Sequence, residues 1–239
     1  MDAVLLQRLA QITEEERELL QGRGVDRALY ASGRAFEVDA AKMLEKGKLM
    51  SIRPHTRFAP FPRHSHNYVE IMYMCLGKTA HRIDGDALVT LEAGELLFLN
   101  RHASHAIQRA DAGDIAVNFI VLPQFFDEAF NMAGMDNVLS RFLLGELYTG
   151  GAAVSYLHFR VREVLPVQNL VENMVWTLVN RQPGARRINQ VTMGLLLLQL
   201  MHYTECIDMS RNGSIRSPMV EAALREIEEN YRAASLTDV

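Results

Sequence analysis

The residues best equipped for chemistry are histidines, and six of the eight lie between His55 and His105. The run Phe61-Pro62-Arg63-His64-Ser65-His66-Asn67-Tyr68-Val69-Glu70 is answered by Asn100-Arg101-His102-Ala103-Ser104-His105. Side chains two apart in an extended chain share a face, so His64, His66 and Glu70 point the same way. Two imidazoles and a carboxylate on one face make a polar site, and His105, on a later strand-like run, closes it. Neutral imidazoles and a carboxylate are ligands for zinc, iron, manganese or nickel. His64, His66, Glu70 and His105 therefore form a candidate metal set with open positions left over. The same groups can instead hydrogen-bond a small polar molecule without a metal, or be satisfied core and surface histidines that bind nothing. Tyr68 and His81 join the candidate pocket wall; His81 and His102 read equally well as turn or surface residues. His55 and His158 read as structural, as does His202 on its own. No general-base constellation, nucleophile motif or phosphate-cradling glycine loop accompanies the set, so no catalytic residue is assigned.

The elements that must position these residues follow from the period of the sequence. From Leu49 to Leu122 that period is two. Tyr68 to Leu76, Ala80 to Ile83, Ala87 to Leu91, Glu95 to Leu99, Ser104 to Arg109 and Ile115 to Leu122 read as strands. The Asp84-Gly85 step between two of them is a hairpin signal, because its turn needs positive φ. Pro123 ends the ladder, and many short strands joined by tight turns imply a β-sandwich or small barrel. Helical patterns flank it. Val4, Leu5, Leu6 and Leu9 mark one apolar face, Thr13 and Glu16 form a capping box, and a short helix runs from Asp39 to Lys46, together a lid or brace. Beyond Pro123, Phe125 to Met132 and Val138 to Leu147 read as short helices. Pro166 to Arg181 and Ile188 to Cys206 are longer ones, broken apart by Pro183-Gly184 into an antiparallel hairpin. The second is apolar on more than one side. It needs a second partner, which is either another subunit, through Val191, Leu195, Leu198 and His202, or deeper burial in its own domain.

At 239 residues, 49% of them hydrophobic, the chain can bury a substantial core. Its net charge of -4 is spread without a basic block, so these 239 residues are not expected to grip nucleic acid by themselves. Cys75 and Cys206 form no metal or redox spacing and suit a reducing interior. The first twenty residues have no signal-peptide pattern and no apolar run reaches membrane-spanning length, so a cytoplasmic setting is expected. Near the other end, Ser217-Pro218 opens a helix with a stripe through Val220, Leu224, Ile227 and Tyr231. Ser235-Leu236-Thr237-Asp238 caps another, one turn before Val239. A helix capped and given one turn is expected to be the beginning of a further domain.

The order of parts carries a resemblance. His64-x-His66-x3-Glu70-x6-Gly77 resembles the first cupin motif from its histidines onward, and Gly94-x10-His105 has the spacing of the second. The departures are Phe58 for an upstream glycine, Asn100 and His102 for a proline and an inner glycine, and Arg109 for a final asparagine. More narrowly, Phe61 to Phe126, with Tyr68-Val69-Glu70, His81-Arg82-Ile83-Asp84-Gly85 and Leu96-Leu97-Phe98-Leu99-Asn100, resembles the sensor domain of AraC/XylS-type bacterial transcription regulators. Leu224 to Tyr231 and Ala234 to Val239 resemble the opening of that family's helix-turn-helix DNA-binding domain. The resemblance implies an α+β protein: a cupin-like antiparallel β-barrel or jelly roll flanked by N-terminal helices and a C-terminal helical hairpin. The expected parts are a brace at 1–48, an effector-binding barrel at 49–123, a helical dimerisation region at 124–208, and a linker with the start of a DNA-binding domain at 209–239. It further implies a homodimer that binds a small, sugar-like effector through His64, His66, Tyr68, Glu70, His81 and His105 and reaches promoter DNA through the following domain. The alternative is a metal-dependent cupin enzyme, a dioxygenase or sugar isomerase.

Overall fold

The computed structural model describes residues 1–85, 87–149, 152–203 and 207–209. In chain order its elements begin with α1 (Ala3–Leu9), α2 (Glu14–Leu20), β1 (Glu37–Val38), α3 (Ala40–Met43), β2 (Met50–Pro54), β3 (Phe61–His66), β4 (Val69–Leu76) and β5 (Lys78–Ile83). They continue with β6 (Ala87–Glu92), β7 (Leu96–Leu99), β8 (Ser104–Ile107), β9 (Ile115–Val121), α4 (Asp127–Ala133) and α5 (Val138–Leu144). The last are β10 (Tyr148–Thr149), β11 (Ala152–Ala153), β12 (Tyr156–Phe159), α6 (Leu165–Val179), α7 (Ala185–Met201) and β13 (Ile207–Met209).

Local chemistry sets the helix starts. Thr13 Oγ1 accepts from the Glu16 amide while the Glu16 carboxylate accepts from the Thr13 amide, a reciprocal cap for α2. Asp39 caps α3 through the Ala41 amide, although that helix ends at Met43, short of the expected Lys46. The hairpin between β5 and β6 turns on Asp84 and Gly85 with φ of 49° and 98°, the left-handed pair the turn demands. At Gly77, φ is 79° and a Cβ would sit 2.3 Å from Asp114 Oδ1, so two turns meet there too closely for a side chain.

Two sheets build the body. One runs β1-β3-β8-β5-β6, the other β13-β12-β7-β4-β9-β2. Their inward faces share one cluster, Met72 and Met74 with Ile83, Leu91, Leu97 and Leu99, which makes the pair a β-sandwich, antiparallel but for the pairing of β1 with β3. The outward face of the six-stranded sheet carries Ile71, Phe98, Phe119 and Leu157, packed with Val171 and Val175 of α6, Leu196 and Leu197 of α7 and Leu5 of α1. Each of these side chains, wholly removed from water, stabilises the fold by about 1.5–3 kcal/mol. A smaller cluster of Tyr30, Val38, Phe61 and Ile107 fastens the N-terminal segment to the open end of the sandwich.

Two expectations change. The stretch 124–208 is not all helical: β12 pairs with β7, so a strand from beyond Pro123 completes the sheet. All four of its residues are buried, which erases the alternation that would have marked it. Within 1–48, β1 pairs in parallel with β3, opposite Ser65 and His66. The last helix among the described residues covers Ala185–Met201 with His202 as its C-cap; Cys206, Ser217-Pro218 and the capping box at Ser235 lie outside the described residues. Among the described residues no helix is long and apolar enough to cross a membrane.

Candidate functional site

The site lies on the inner face of the sandwich. Strand β3 is shifted in register between Phe61 and His64, and the shift turns Phe61, His64 and His66 all inward while Pro62 and Arg63 face out. Antiparallel β8 sets His105 opposite His64. Strand β4 sends Glu70 inward, on the face of Met72 and Met74. Three strands from two sheets thus bring together His66, Glu70 and His105, whose ligand atoms lie within 4.8 Å of one another.

Hydrogen bonds fix which atoms face that point. His66 Nδ1–H donates to the Tyr68 carbonyl at 2.8 Å, so its Nε2 carries the lone pair. Asn118 Nδ2 donates to Glu70 Oε1 at 2.9 Å and turns Oε2 toward the imidazoles, 3.4 Å from His105 Nε2 and 3.9 Å from His66 Nε2. None of these three atoms, His66 Nε2, His105 Nε2 and Glu70 Oε2, has a hydrogen-bond partner although each is buried. Such groups are costly, on the order of 1–3 kcal/mol each, and are rare unless something satisfies them.

Charge does not satisfy them. Burial pushes the His66 imidazole down to about 4 and the His105 imidazole well below its ordinary value, while burial pushes the Glu70 carboxyl up to about 7. Glu70 Oε2 lies within ion-pair distance of His105 Nε2, while burial works against the charged form of both groups. His66 Nε2, His105 Nε2 and Glu70 Oε2 are donor types that a divalent transition metal takes, and they fit one. They are equally able to exchange hydrogen bonds with hydroxyls.

The remaining expected residues divide. His64 sits beside the group, its ring 4.2 Å from that of His105; its Nδ1–H donates to the Pro62 carbonyl, as His66 does to Tyr68, and it lines the cavity, but it is not among the three whose ligand atoms lie within 4.8 Å. Tyr68 lines the cavity with its ring stacked on His66. His81 stacks on His105 with Nε2 against Thr79 Oγ1 at 2.8 Å and, like His66 and His105, does not line the cavity. His102 is exposed, its Nε2 bonded to the Gly145 carbonyl at 3.2 Å, and is no part of the wall. His158 is held by Glu95 at 2.9 Å as a structural pair.

Sequence reasoning missed Asn118, His55, Arg53 and Tyr30. Asn118 orients Glu70 and accepts from His55 Nδ1–H at 3.2 Å, leaving His55 Nε2 unpartnered as well. Its signal was present: it is the polar inward position of β9, between Ala116 and Ile120. Arg53 and Tyr30 close the mouth, where both meet the Glu15 carboxylate and Arg53 lies over the Tyr30 ring. Only tertiary contact brings those three together.

Residues 51–130 match the family model described as the AraC-like ligand binding domain. No curated protein matches. Among solved structures, an apo variant of ToxT from Vibrio cholerae strain SCE256 is similar over 81% of this chain and 79% of its own, at 11% identity and a TM-score of 0.50, a likeness of fold. The AraC-like transcriptional activator CuxR aligns at 13% identity and TM-score 0.35, over 72% of this chain and 54% of its own, so the chain spans about half that protein. A cupin protein from Bacteroides fragilis aligns at 28% identity and TM-score 0.26, over 30% of this chain and 64% of its own. Residues 51–130 thus match an AraC-like ligand binding domain, and within them His66, Glu70 and His105 converge on the inner face of the sandwich, with Glu70 also lining the cavity.

Proposed function

We propose that the chain is the effector-sensing and dimerising part of an AraC-type transcription regulator, and that it controls promoter DNA through a helix-turn-helix domain following the described residues. The observation that carries the reading is the trio of buried, partnerless atoms, one of which belongs to Glu70, a residue that lines a cavity whose mouth the N-terminal segment closes. The space beneath that mouth, lined by Tyr30, Arg53, His64, Tyr68 and Glu70, is about 40 Å³. That holds on the order of one or two waters, whereas small-molecule pockets run to roughly 300 Å³ and above. A sugar-like effector therefore needs the mouth open. Its latch is polar and exchangeable: Arg53 donates to Tyr30 Oη at 2.7 Å, both meet Glu15, and Lys42 Nζ donates to the Ala28 carbonyl. Effector binding releases the latch and shifts the population of lid arrangements.

Dimerisation is assigned to the outer face of α7. Ile188, Val191 and Leu195 are exposed there, at 44%, 37% and 43%, and with Leu198 and His202 they follow the three-four spacing of one helix face. A divalent transition metal is the second occupant the floor suits, because the orphaned Nε2 and Oε2 atoms become its ligands. When bound it supplies open positions for an effector's oxygens. His66, Glu70 and His105 hold it, and Tyr68 and Asn118 orient two of those residues.

A thermal-shift screen of sugars and small acids tests the reading. It expects at least one compound to raise the melting temperature of the wild type and to leave the His66→Ala/His105→Ala variant unmoved. If no compound acts on the wild type, a dimerisation module without a ligand replaces the sensor; if metal-loaded protein turns over a substrate, the cupin-enzyme alternative does.

A further inference from the structure

A second cavity lies outside the sandwich, where the α3–β2 connection and strand β2 face the α6–α7 hairpin. It has a volume of about 330 Å³, within the range of small-molecule pockets. One wall is apolar: Met43, Leu49, Ile52, Phe125 and Leu178. The rim carries Lys48, Arg181 and Arg186 against a single carboxylate, Glu45, which pairs loosely with Arg181 at 3.8 Å. Helix α7, 17 residues long, begins in this wall with Ala185 and Arg186, and its N-cap Gly184 offers no side-chain acceptor to the first-turn amides. A helix start so uncapped favours an anion, as do the rim cations.

An independent observation points the same way. Asn189 also lines the cavity, is 1% exposed, and its Oδ1 has no hydrogen-bond partner. A buried carbonyl oxygen of that kind requires a donor, which an anionic group cannot supply. The occupant must therefore carry a negative group for the rim and helix start, a hydroxyl or N–H for Asn189, and a compact aliphatic body for the apolar wall.

We propose that this cavity is a binding site, separate from the sandwich interior, for a small amphipathic carboxylate bearing a hydroxyl or amide N–H donor. It touches both the edge strand of the sheet and the base of α7, so its occupancy sets how the hairpin seats on the sandwich.

Calorimetric titration of the full chain with 3-hydroxyoctanoate and with N-acetylleucine tests the site. Saturable binding of at least one is expected, weakened about tenfold or more by Arg181→Ala/Arg186→Ala, whose side chains are exposed and whose loss leaves the fold intact. Octanoate, which lacks the donor, binds more weakly than its hydroxylated counterpart. The His105→Ala variant binds as the wild type does, which separates this site from the sandwich floor. Absence of saturable binding for both probes, indifference to the paired arginine substitution, or loss of binding in His105→Ala would each overturn the proposal.

Discussion

Strand β4 borders two interiors of opposite character. Outward, Val69, Ile71 and Tyr73 meet the helices, and the one polar atom among their side chains, Tyr73 Oη, donates to Gln168 Oε1 at 2.7 Å. Inward, Glu70 Oε2 on the same strand and the Nε2 atoms of His66 and His105 on the facing sheet are buried without partners. Burial is as complete on one side as on the other, so exposure does not distinguish them. What differs is satisfaction. A face whose polar groups are all paired contributes stability; a face that leaves converging groups unpaired sacrifices some of it for a ligand.

Substitutions on the two sides should separate accordingly. The largest loss is expected at Phe119, which has no exposure at all in the outer core: Phe119→Ala should cost about 3–5 kcal/mol in urea unfolding. A buried polar group that is paired should behave like that core. Glu16 and Arg57 are 1% and 3% exposed; Arg57 Nε and Nη2 donate to the Glu16 carboxylate at 2.7 and 2.8 Å, and Arg57 also reaches the Ala10 and Ala112 carbonyls. Removing one partner, as in Arg57→Ala, should cost roughly 3–5 kcal/mol. Burial alone would raise the Glu16 carboxyl, but the hydrogen bonds and charge of Arg57 outweigh it and hold the group below its ordinary 4.5. Its contribution is therefore present above the unfolded-state value and lost as pH falls through the lower folded one. Unfolding measured between neutral and acid pH should show that loss in the wild type and not in Glu16→Gln.

The unpaired face should respond in the other sense. Glu70→Gln keeps an oxygen for Asn118 and removes a desolvated carboxyl, so ligand-free stability should change by less than about 1 kcal/mol, while binding at the floor fails. A drop as large as that of Phe119→Ala would mean that Glu70 is a structural residue. The smallest effect on the protomer belongs to Leu195→Glu, within about 0.5 kcal/mol because the side chain is already 43% exposed, yet sedimentation should show monomers. A variant that stays dimeric moves the interface elsewhere.

Elements set by nearest neighbours were legible in the sequence. The Thr13–Glu16 cap and the Asp84-Gly85 turn each depend on residues a few positions apart, but His66 and Glu70 do not share a face of one strand as expected: the chain passes from one sheet to the other between them. The placing of His105 followed the spacing of the second cupin motif that the sequence resembles, whereas the position of His64 beside the converging atoms did not, because the register shift in β3 is a property of the folded strand pair. Strand β12 was hidden because burial on both sides removes the period of two. Asn118 was visible as a polar residue in an apolar strand, but its role needed Glu70 beside it. Arg53, Tyr30 and Glu15 meet across spans of 15 to 38 residues, beyond any local pattern.

The central claim is that the floor formed by His66, Glu70 and His105 is a binding site. Native mass spectrometry with elemental analysis tests it most directly, on tag-free protein as isolated and after supply of zinc, nickel or the compounds active in the thermal screen. The account predicts that the wild type carries a stoichiometric metal ion or small molecule, and that His105→Ala and Glu70→Gln, folded as judged by their unfolding curves, do not. A wild type that takes up nothing under any of these conditions, or variants that retain the same occupant at the same stoichiometry, would contradict it.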